Sequence, residues 1–282
     1  MPGRAVAIPS RGISFYVREE GQGPPVLLLH GGPGADHSTL LSLRPLAKKF
    51  RLIFYDQRCN GRSTMANFAT FNWENLSADA DAIKQHFGIG KCAIIGHSFG
   101  GMVALEYAIR YPDNLTHLAL LDTGGDSAWV RQNACLELDR KGFSKLVVET
   151  ASKFYSGRID RSEFAKSMLV LGKAYYSRPS VAFMLKEAFH GLRIRANPEI
   201  CIYGFRELLS GWNVMNQLNR IRANTLIVAG EDDFQFPPEH QKELQKGIAG
   251  ARMQLLDGAG HNAHIEQPKR MIAILSDFLQ NG

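Results

Sequence analysis

The chain has 282 residues, of which 45% are hydrophobic and 21% charged, a composition typical of a globular protein with a large core. Its formal charge of +6 is spread over small separate groups of lysines and arginines, which argues against nucleic-acid binding. No apolar run is long enough to span a membrane, and residues 1–10 lack a signal-peptide core. The four cysteines lie far apart without a C-x-x-C pair, as in a reducing compartment. We therefore expect a cytoplasmic protein with no nucleic-acid or membrane partner.

Short apolar runs alternate with amphipathic stretches over the first 122 residues, which predicts βα units and a mostly parallel sheet. Strands are expected at residues 12–19, 25–30, 51–56, 91–96 and 115–122. Helices are expected at residues 40–50, 76–87 and 99–111, the last ended by Pro112.

The strand pattern stops after Asp122 and resumes at residues 225–229 and 253–256, followed by a closing helix at 267–279. Between them the periodicity is helical, at residues 135–155, 162–176 and 181–191. The pattern predicts an α/β core of residues 1–122 and 217–282, with helices on both faces of the sheet. Residues 123–216 are predicted to form an inserted helical cap.

The strongest chemical signal is Gly-His-Ser-Phe-Gly at residues 96–100, directly after a predicted strand and at the start of a predicted helix. This is the context that the G-x-S-x-G nucleophile elbow requires. Ser98 is therefore the predicted nucleophile, and a glycine-rich turn with an incidental serine is the alternative. His97 is expected to point away from Ser98 and to pack.

A second glycine-rich segment, His-Gly-Gly-Pro-Gly at residues 30–34, follows the strand at 25–30. The N–H groups of Gly32 and of Phe99, the residue after the nucleophile, are the expected donors to an oxyanion. A phosphate-binding loop is the rival interpretation, but the spacing matches neither G-x-G-x-x-G nor a P-loop.

A serine hydroxyl needs a general base, and the base needs an acid to orient it. Gly-Glu-Asp-Asp at residues 230–233 and Gly-Ala-Gly-His at 258–261 follow predicted strands, where the sites of parallel sheets gather. His264 and Glu266 suggest a metal site, but no third residue has a metal-ligand spacing. No metal and no other cofactor is therefore expected.

Five segments of the chain resemble the α/β-hydrolase superfamily. They are residues 30–34, Asp-Gln-Arg-Cys-Asn-Gly-Arg-Ser at 56–63, residues 96–101, residues 230–237 and Gly-His at 260–261. Within it they are most similar to the prolyl aminopeptidase (proline iminopeptidase) group and its esterase relatives. The resemblance covers the core, about two thirds of the chain. It implies His261 as the base and Asp233 as the acid in preference to Asp232, with Asp122 as an alternative used by some superfamily members.

Two departures from that family affect the interpretation. Cys59 stands where the family carries a glycine, and we interpret it as a packing residue rather than a nucleophile. Phe234 follows Asp233, whereas some related aminopeptidases carry there a glutamate that holds the substrate's amino group. Glutamates of the predicted cap that could serve instead are Glu187, Glu199 and Glu207. Its aromatic and methionine residues suggest an apolar pocket wall or, equally, its own small core.

The sequence therefore predicts a serine hydrolase that cleaves small carboxylic esters or lactones through Ser98, His261, Asp233 and an acyl-enzyme. A prolyl-type aminopeptidase with the same three residues is the main alternative. Carbon–carbon bond hydrolysis of dienone-type substrates is a third, although Asn262 stands where those enzymes tend to carry a tryptophan. A hydrolase-fold receptor is the non-enzymatic alternative.

Overall fold

The computed structural model describes residues 4–281. Over this range the chain forms one sheet of eight strands in the order β1-β2-β4-β3-β5-β6-β7-β8. The strands are β1 (Arg4–Ile8), β2 (Ile13–Glu20), β3 (Pro25–Leu29), β4 (Arg51–Tyr55), β5 (Cys92–His97), β6 (Leu115–Leu121), β7 (Asn224–Gly230) and β8 (Arg252–Leu256). β2 runs antiparallel to β1 and β4, and the other neighbouring strands are parallel. The predicted, mostly parallel sheet is confirmed.

Helices connect the strands. They are α1 (Trp73–His86), α2 (Phe99–Arg110), α3 (Ser127–Arg140), α4 (Lys145–Tyr155), α5 (Arg161–Leu171), α6 (Val181–Gly191), α7 (Pro198–Tyr203), α8 (Pro238–Gly247), α9 (Ala263–Glu266) and α10 (Pro268–Asn281). The helix predicted at residues 40–50 is a 3₁₀ segment, His37–Lys48, with Pro45 inside it. Proline has no N–H to donate to the backbone hydrogen bonds of an α-helix.

One predicted helix is divided in the structure, and several elements, β1, α7, α8 and α9 among them, are not predicted. The helix expected at residues 135–155 is divided into α3 and α4, because Gly142 adopts a left-handed φ of 76° after α3. β1 lies at the very start of the chain. α8 is almost entirely polar, and Leu244 is its one buried aliphatic residue among those described, so it lacks the row of apolar residues by which a helix is predicted.

The two faces of the sheet are covered by different helices. Val26 and Leu28 of β3 pack with the 3₁₀ segment and α10, whereas Leu27 and Leu29 pack with α1, α2 and α8. Successive residues of a strand point to opposite faces, so a strand covered on both sides is apolar throughout. This explains the continuous apolar runs in the sequence and confirms the helices expected on both faces.

Residues 123–216, here called the helical segment, lie between β6 and β7 and contain α3 to α7. The strand pairing described within them is an isolated bridge between Asp126 and Asn213. The division of the chain into a core and a cap at residues 122 and 217 stays a prediction. Among residues 4–281, no helix combines the length and the apolar character needed to cross a membrane.

The junction of β5 and α2 holds Ser98 in a strained conformation at the carboxyl edge of the sheet. Its φ of 52° and ψ of −123° lie in a region that non-glycine residues rarely adopt. The Ser98 N–H donates to the Leu121 carbonyl oxygen at 2.9 Å, and the Thr123 hydroxyl donates to the Ser98 carbonyl oxygen at 2.7 Å. A main-chain group at the end of β6 and a side-chain hydroxyl just after it therefore stabilise the strained serine.

The glycines on either side of Ser98 allow the strand and the helix to approach closely. A Cβ atom on Gly96 would lie 2.5 Å from the Gly100 carbonyl oxygen, and one on Gly100 would lie 2.1 Å from the Leu29 carbonyl oxygen. Backbone oxygens in a packed sheet cannot move aside as flexible side chains do. Close packing therefore accounts for both glycines of the motif.

We expect Gly100→Ala to lower the free energy of unfolding by about 3 kcal/mol, the upper range for overpacking a tight core. Gly172→Ala is the matched control, since its added methyl group meets no heavy atom within 4 Å. Urea unfolding of both variants tests this, and equal stability of the two would contradict the packing explanation.

Candidate active site

Side chains from three separate segments meet at the carboxyl edge of the sheet. Ser98 lies between β5 and α2, Asp233 follows β7, and His261 follows β8. The His261 Nε2 atom lies 3.0 Å from Ser98 Oγ, and its Nδ1 atom lies 2.9 Å from Asp233 Oδ2. All three residues are buried, and Ser98 keeps 8% of its surface accessible. This is the geometry of a nucleophile, a base and an orienting acid.

Main-chain groups orient the Asp233 carboxylate. Its Oδ1 atom accepts hydrogen bonds from the N–H groups of Gln235 at 2.8 Å and Phe236 at 3.2 Å. The Oδ2 atom is thereby directed at the imidazole of His261. Two hydrogen bonds from the chain just after β7 thus fix the acid without a further side chain.

The two alternative acids lie in different surroundings. The side chain of Asp232 is 40% exposed and accepts a hydrogen bond from the Ser177 hydroxyl, which, with the charge of Lys141, lowers its pKa. Asp122 is fully buried and accepts the Gly230 N–H at 2.8 Å. Burial and then the nearby charge of Asp233 raise the pKa of Asp122 well above its ordinary value, which favours its neutral form.

The glycine-rich loop at residues 30–34 lies on the other side of Ser98. Gly32 has a φ of 125°, and Gly32, Ser98 and Phe99 line one pocket. The Gly34 N–H donates to Asn60 Oδ1 at 2.7 Å, which ties this loop to the one after β4. Phe99 is the first residue of α2, so its N–H has no acceptor within the helix. The N–H groups of Gly32 and Phe99 remain the proposed oxyanion donors.

Cys59 follows β4 and occupies a position suited to glycine. Its φ of 62° lies in the left-handed region, which glycine adopts without steric cost. This explains a glycine at this position in the family that the sequence resembles. The thiol is buried, its Sγ atom lies 3.4 Å from the Ala66 nitrogen, and burial raises its pKa. A thiol that stays protonated is a poor nucleophile, so the structure favours the packing role.

A second group of buried titratable side chains lies behind His261. The possible ligand atoms of His97, Asp122 and His264 all lie within 4.8 Å of one another. His97 Nδ1, Asp122 Oδ2 and His264 Nδ1 have no hydrogen-bond partner among the described residues. Burial lowers the pKa of both histidines, that of His264 to about 4. Sequence spacing did not reveal this cluster, and the expectation that no metal is needed stays a prediction.

A pocket opens beside Ser98 under the helical segment. Its wall is mostly apolar, formed by Met102, Val130, Tyr155, Phe205, Leu209 and Phe236. Its polar side chains besides Ser98 are those of Ser127, Arg131 and Gln235, and no aspartate or glutamate is among its described lining residues. Arg131 and Gln235 stand in no recognisable motif, so the sequence did not indicate either of them.

The three glutamates considered for amine recognition lie outside this lining. Glu207 is exposed, and Glu199 pairs with Arg161 at 2.8 Å on the surface. The side chain of Glu187 is only 8% exposed, and its Oε1 atom has no hydrogen-bond partner among the described residues. It lies near Tyr176, whose pKa is raised by burial and then by the charge of Glu187.

Comparisons of the sequence and of the structure with known proteins both find hydrolases. A family model described as alpha/beta hydrolase fold matches residues 24–268. Proline iminopeptidase PfmaB of Pestalotiopsis fici is 29% identical, with 91% of this chain and 92% of that protein covered. The 2-hydroxy-6-oxo-6-phenylhexa-2,4-dienoate hydrolase of Comamonas testosteroni is 26% identical, with 94% and 91% covered. The esterase EaEST from Exiguobacterium antarcticum has a similar fold, with a TM-score of 0.78, 21% identity, and 95% and 96% covered.

Asp233→Asn should lower kcat by about 10⁴-fold, because the amide no longer selects the productive imidazole tautomer. Asp232→Asn is the matched control, since Asp232 points to Lys141 and Ser177, and kcat should stay within a few-fold. Asp122→Asn should also be mild, because an amide resembles a neutral carboxyl group. Steady-state kinetics test the series, and a greater loss in Asp122→Asn than in Asp233→Asn would assign the acid to Asp122.

Acidification should destabilise the fold through His240 and His264, whose pKa values burial lowers from 6.5 to about 4. Between those two values the unfolded chain takes up protons that the folded chain does not, so the free energy of unfolding falls as pH falls. Each histidine contributes at most about 1.4 kcal/mol per pH unit. His240→Gln should flatten the pH dependence of urea unfolding between pH 7 and 5, and an unchanged slope would refute this.

Proposed function

Because this chain belongs to the α/β-hydrolase family, we propose that it is a serine hydrolase of carboxylic esters, lactones included. The observation that carries this proposal is the hydrogen-bonded series Ser98, His261 and Asp233 beside a mostly apolar pocket, whose described lining residues include no aspartate or glutamate. Its substrate is a small acyl compound.

The reaction begins when Ser98 Oγ attacks the acyl carbon and His261 Nε2, 3.0 Å away, accepts the hydroxyl proton. Asp233 accepts the Nδ1–H of the imidazole and stabilises the imidazolium that forms. The N–H groups of Gly32 and Phe99 donate to the oxygen of the tetrahedral intermediate. His261 then protonates the leaving alcohol and later activates the water that releases the acid from Ser98.

The charged and polar residues of the pocket favour ester hydrolysis over aminopeptidase activity. An aminopeptidase substrate brings an ammonium group, which needs a carboxylate when it leaves water. The lining beside Ser98 offers instead the guanidinium of Arg131. Two like charges in one pocket repel each other, so this pocket suits a neutral or anionic acyl group.

A prolyl-type aminopeptidase is the second candidate, and Glu187 is the observation that favours it. Its carboxylate is shielded, and its Oε1 atom accepts no hydrogen bond among the described residues, with His190 Nδ1 3.6 Å away. A substrate ammonium could pair with such a group. In that case Glu187→Gln would raise the KM for free-amine substrates and leave the KM for N-blocked substrates unchanged.

We expect short acyl 4-nitrophenyl esters to be hydrolysed with kcat/KM about tenfold or more above alanyl and prolyl 4-nitroanilides. The reason is that a substrate ammonium without a carboxylate partner costs several kcal/mol. Alanyl and N-acetylalanyl 4-nitroanilides are a matched control, because both are amides and differ only in whether the amine is free. The free amine should not raise kcat/KM in that pair.

Ser98→Ala should lower kcat by about 10⁶-fold.

A preference for the free-amine anilide would overturn the ester proposal in favour of the aminopeptidase. Retention of a tenth of the ester activity in purified Ser98→Ala would overturn the role of Ser98. Binding of the esters without turnover would favour a receptor, and turnover of a dienone acid alone would favour carbon–carbon bond hydrolysis.

A further inference from the structure

Arg131 places a positive charge in the pocket beside Ser98 without a carboxylate to balance it. It lies on α3 and lines the same pocket as the nucleophile. Its Nη2 atom donates to the Phe205 carbonyl oxygen, which anchors the guanidinium without neutralising it. Among the described residues, no carboxylate lies within ion-pair distance of Arg131.

One donor of this guanidinium is buried and unused. The Nε atom of Arg131 has no hydrogen-bond partner among the described residues. Burying a charged donor without a partner is unfavourable. An anion that enters the pocket would supply the missing acceptor, and the fork of an arginine matches the two oxygens of a carboxylate.

Gln235 adds a second unused donor to the same pocket. It is 5% exposed, and its Nε2 atom is buried without a partner. The Gln235 N–H donates to Asp233 Oδ1 at 2.8 Å, so this residue is held in place by the proposed catalytic acid. The main chain of Gln235 is therefore fixed relative to Asp233, and the residue lines the same pocket as Ser98.

We propose that Arg131 and Gln235 form a subsite for a substrate carboxylate. The substrate class is then an ester that carries a free carboxylate, such as a monoester of a short dicarboxylic acid. In this proposal Ser98 attacks the ester carbonyl, the chain contacts the apolar side chains of Phe205, Leu209 and Phe236, and Arg131, which lines the same pocket, binds the distant carboxylate. This inference rests on the proposed ester hydrolysis and specifies its substrate.

The test compares three esters that differ in where a carboxylate stands. 4-Nitrophenyl hydrogen glutarate carries it on the acyl side, 4-(butyryloxy)benzoate carries it on the alcohol side, and 4-nitrophenyl pentanoate carries none. The Ser98→Ala variant measures the spontaneous rate of each ester. We expect the wild-type enzyme to prefer one of the two charged esters, and the preferred one shows which half of the substrate reaches Arg131.

Arg131→Gln should lower the ratio of kcat/KM for the charged ester to that for the neutral ester by about 10- to 100-fold, the range for a hydrogen bond to a charged group. Arg131→Lys should restore part of the ratio, because it keeps the charge but loses the fork. Arg206→Gln is the matched control, since Arg206 is exposed and donates to the Gly157 carbonyl oxygen outside the pocket.

Glutarate binding supplies a readout that does not depend on ester hydrolysis. Calorimetry should detect glutarate binding to the wild-type protein and to Arg206→Gln, with an affinity about 10- to 100-fold weaker in Arg131→Gln. Equal ratios and equal glutarate affinities in the wild type and Arg131→Gln would overturn the subsite, while neutral-ester hydrolysis would still support the proposed function. Glutarate binding that depends on Arg131 without hydrolysis of any ester would refute the proposed function and support the subsite.

Discussion

The strained backbone at Ser98 is the constraint on which the site depends. A φ of 52° holds the serine at the sheet edge, and such a conformation persists only where the surrounding structure enforces it. Here Gly96 and Gly100 allow α2 to lie against β3 and β5, while the Leu121 carbonyl and the Thr123 hydroxyl bind the serine main chain. The position of Ser98, the proposed nucleophile, is therefore set by the sheet core and not by a mobile loop.

His261, the proposed base, is also held in place, and His97 contributes to this. Its Nε2 atom lies 3.0 Å from the His261 carbonyl oxygen, so the residue before the nucleophile contacts the main chain of the base. Burial keeps the pKa of His97 low. A neutral His97 places no positive charge beside the imidazolium that the proposed reaction forms on His261, whereas a charged His97 would oppose its formation. The raised pKa of Asp122 has a parallel effect, since it limits repulsion with Asp233.

The features of this protein that the sequence predicts are those encoded by short-range signals. Ser98 and Gly32 stand in glycine motifs that reflect local backbone geometry, and Asp233 and His261 follow strands, where the fold gathers such groups. Arg131 and the cluster of His97, Asp122 and His264 carry no such signal. They meet only because helices and strand ends distant in sequence pack together, and a single sequence contains no record of that packing. α8 was not predicted for a related reason, since its sequence is almost entirely polar and contains no row of apolar residues.

The proposed carboxylate subsite at Arg131 stands on a different part of the fold from the proposed catalytic residues. It stands on α3, whose start is held by the Asp126 cap and by the Ser127 N–H donating to the Trp212 carbonyl oxygen. The charge is therefore carried by a well-anchored helix and not by the sheet edge that bears Ser98. Replacing Arg131 changes the charge of the pocket without touching the hydrogen bonds among Ser98, His261 and Asp233. In the proposed function, a single position of α3 therefore selects the substrate while Ser98, His261 and Asp233 cleave the bond.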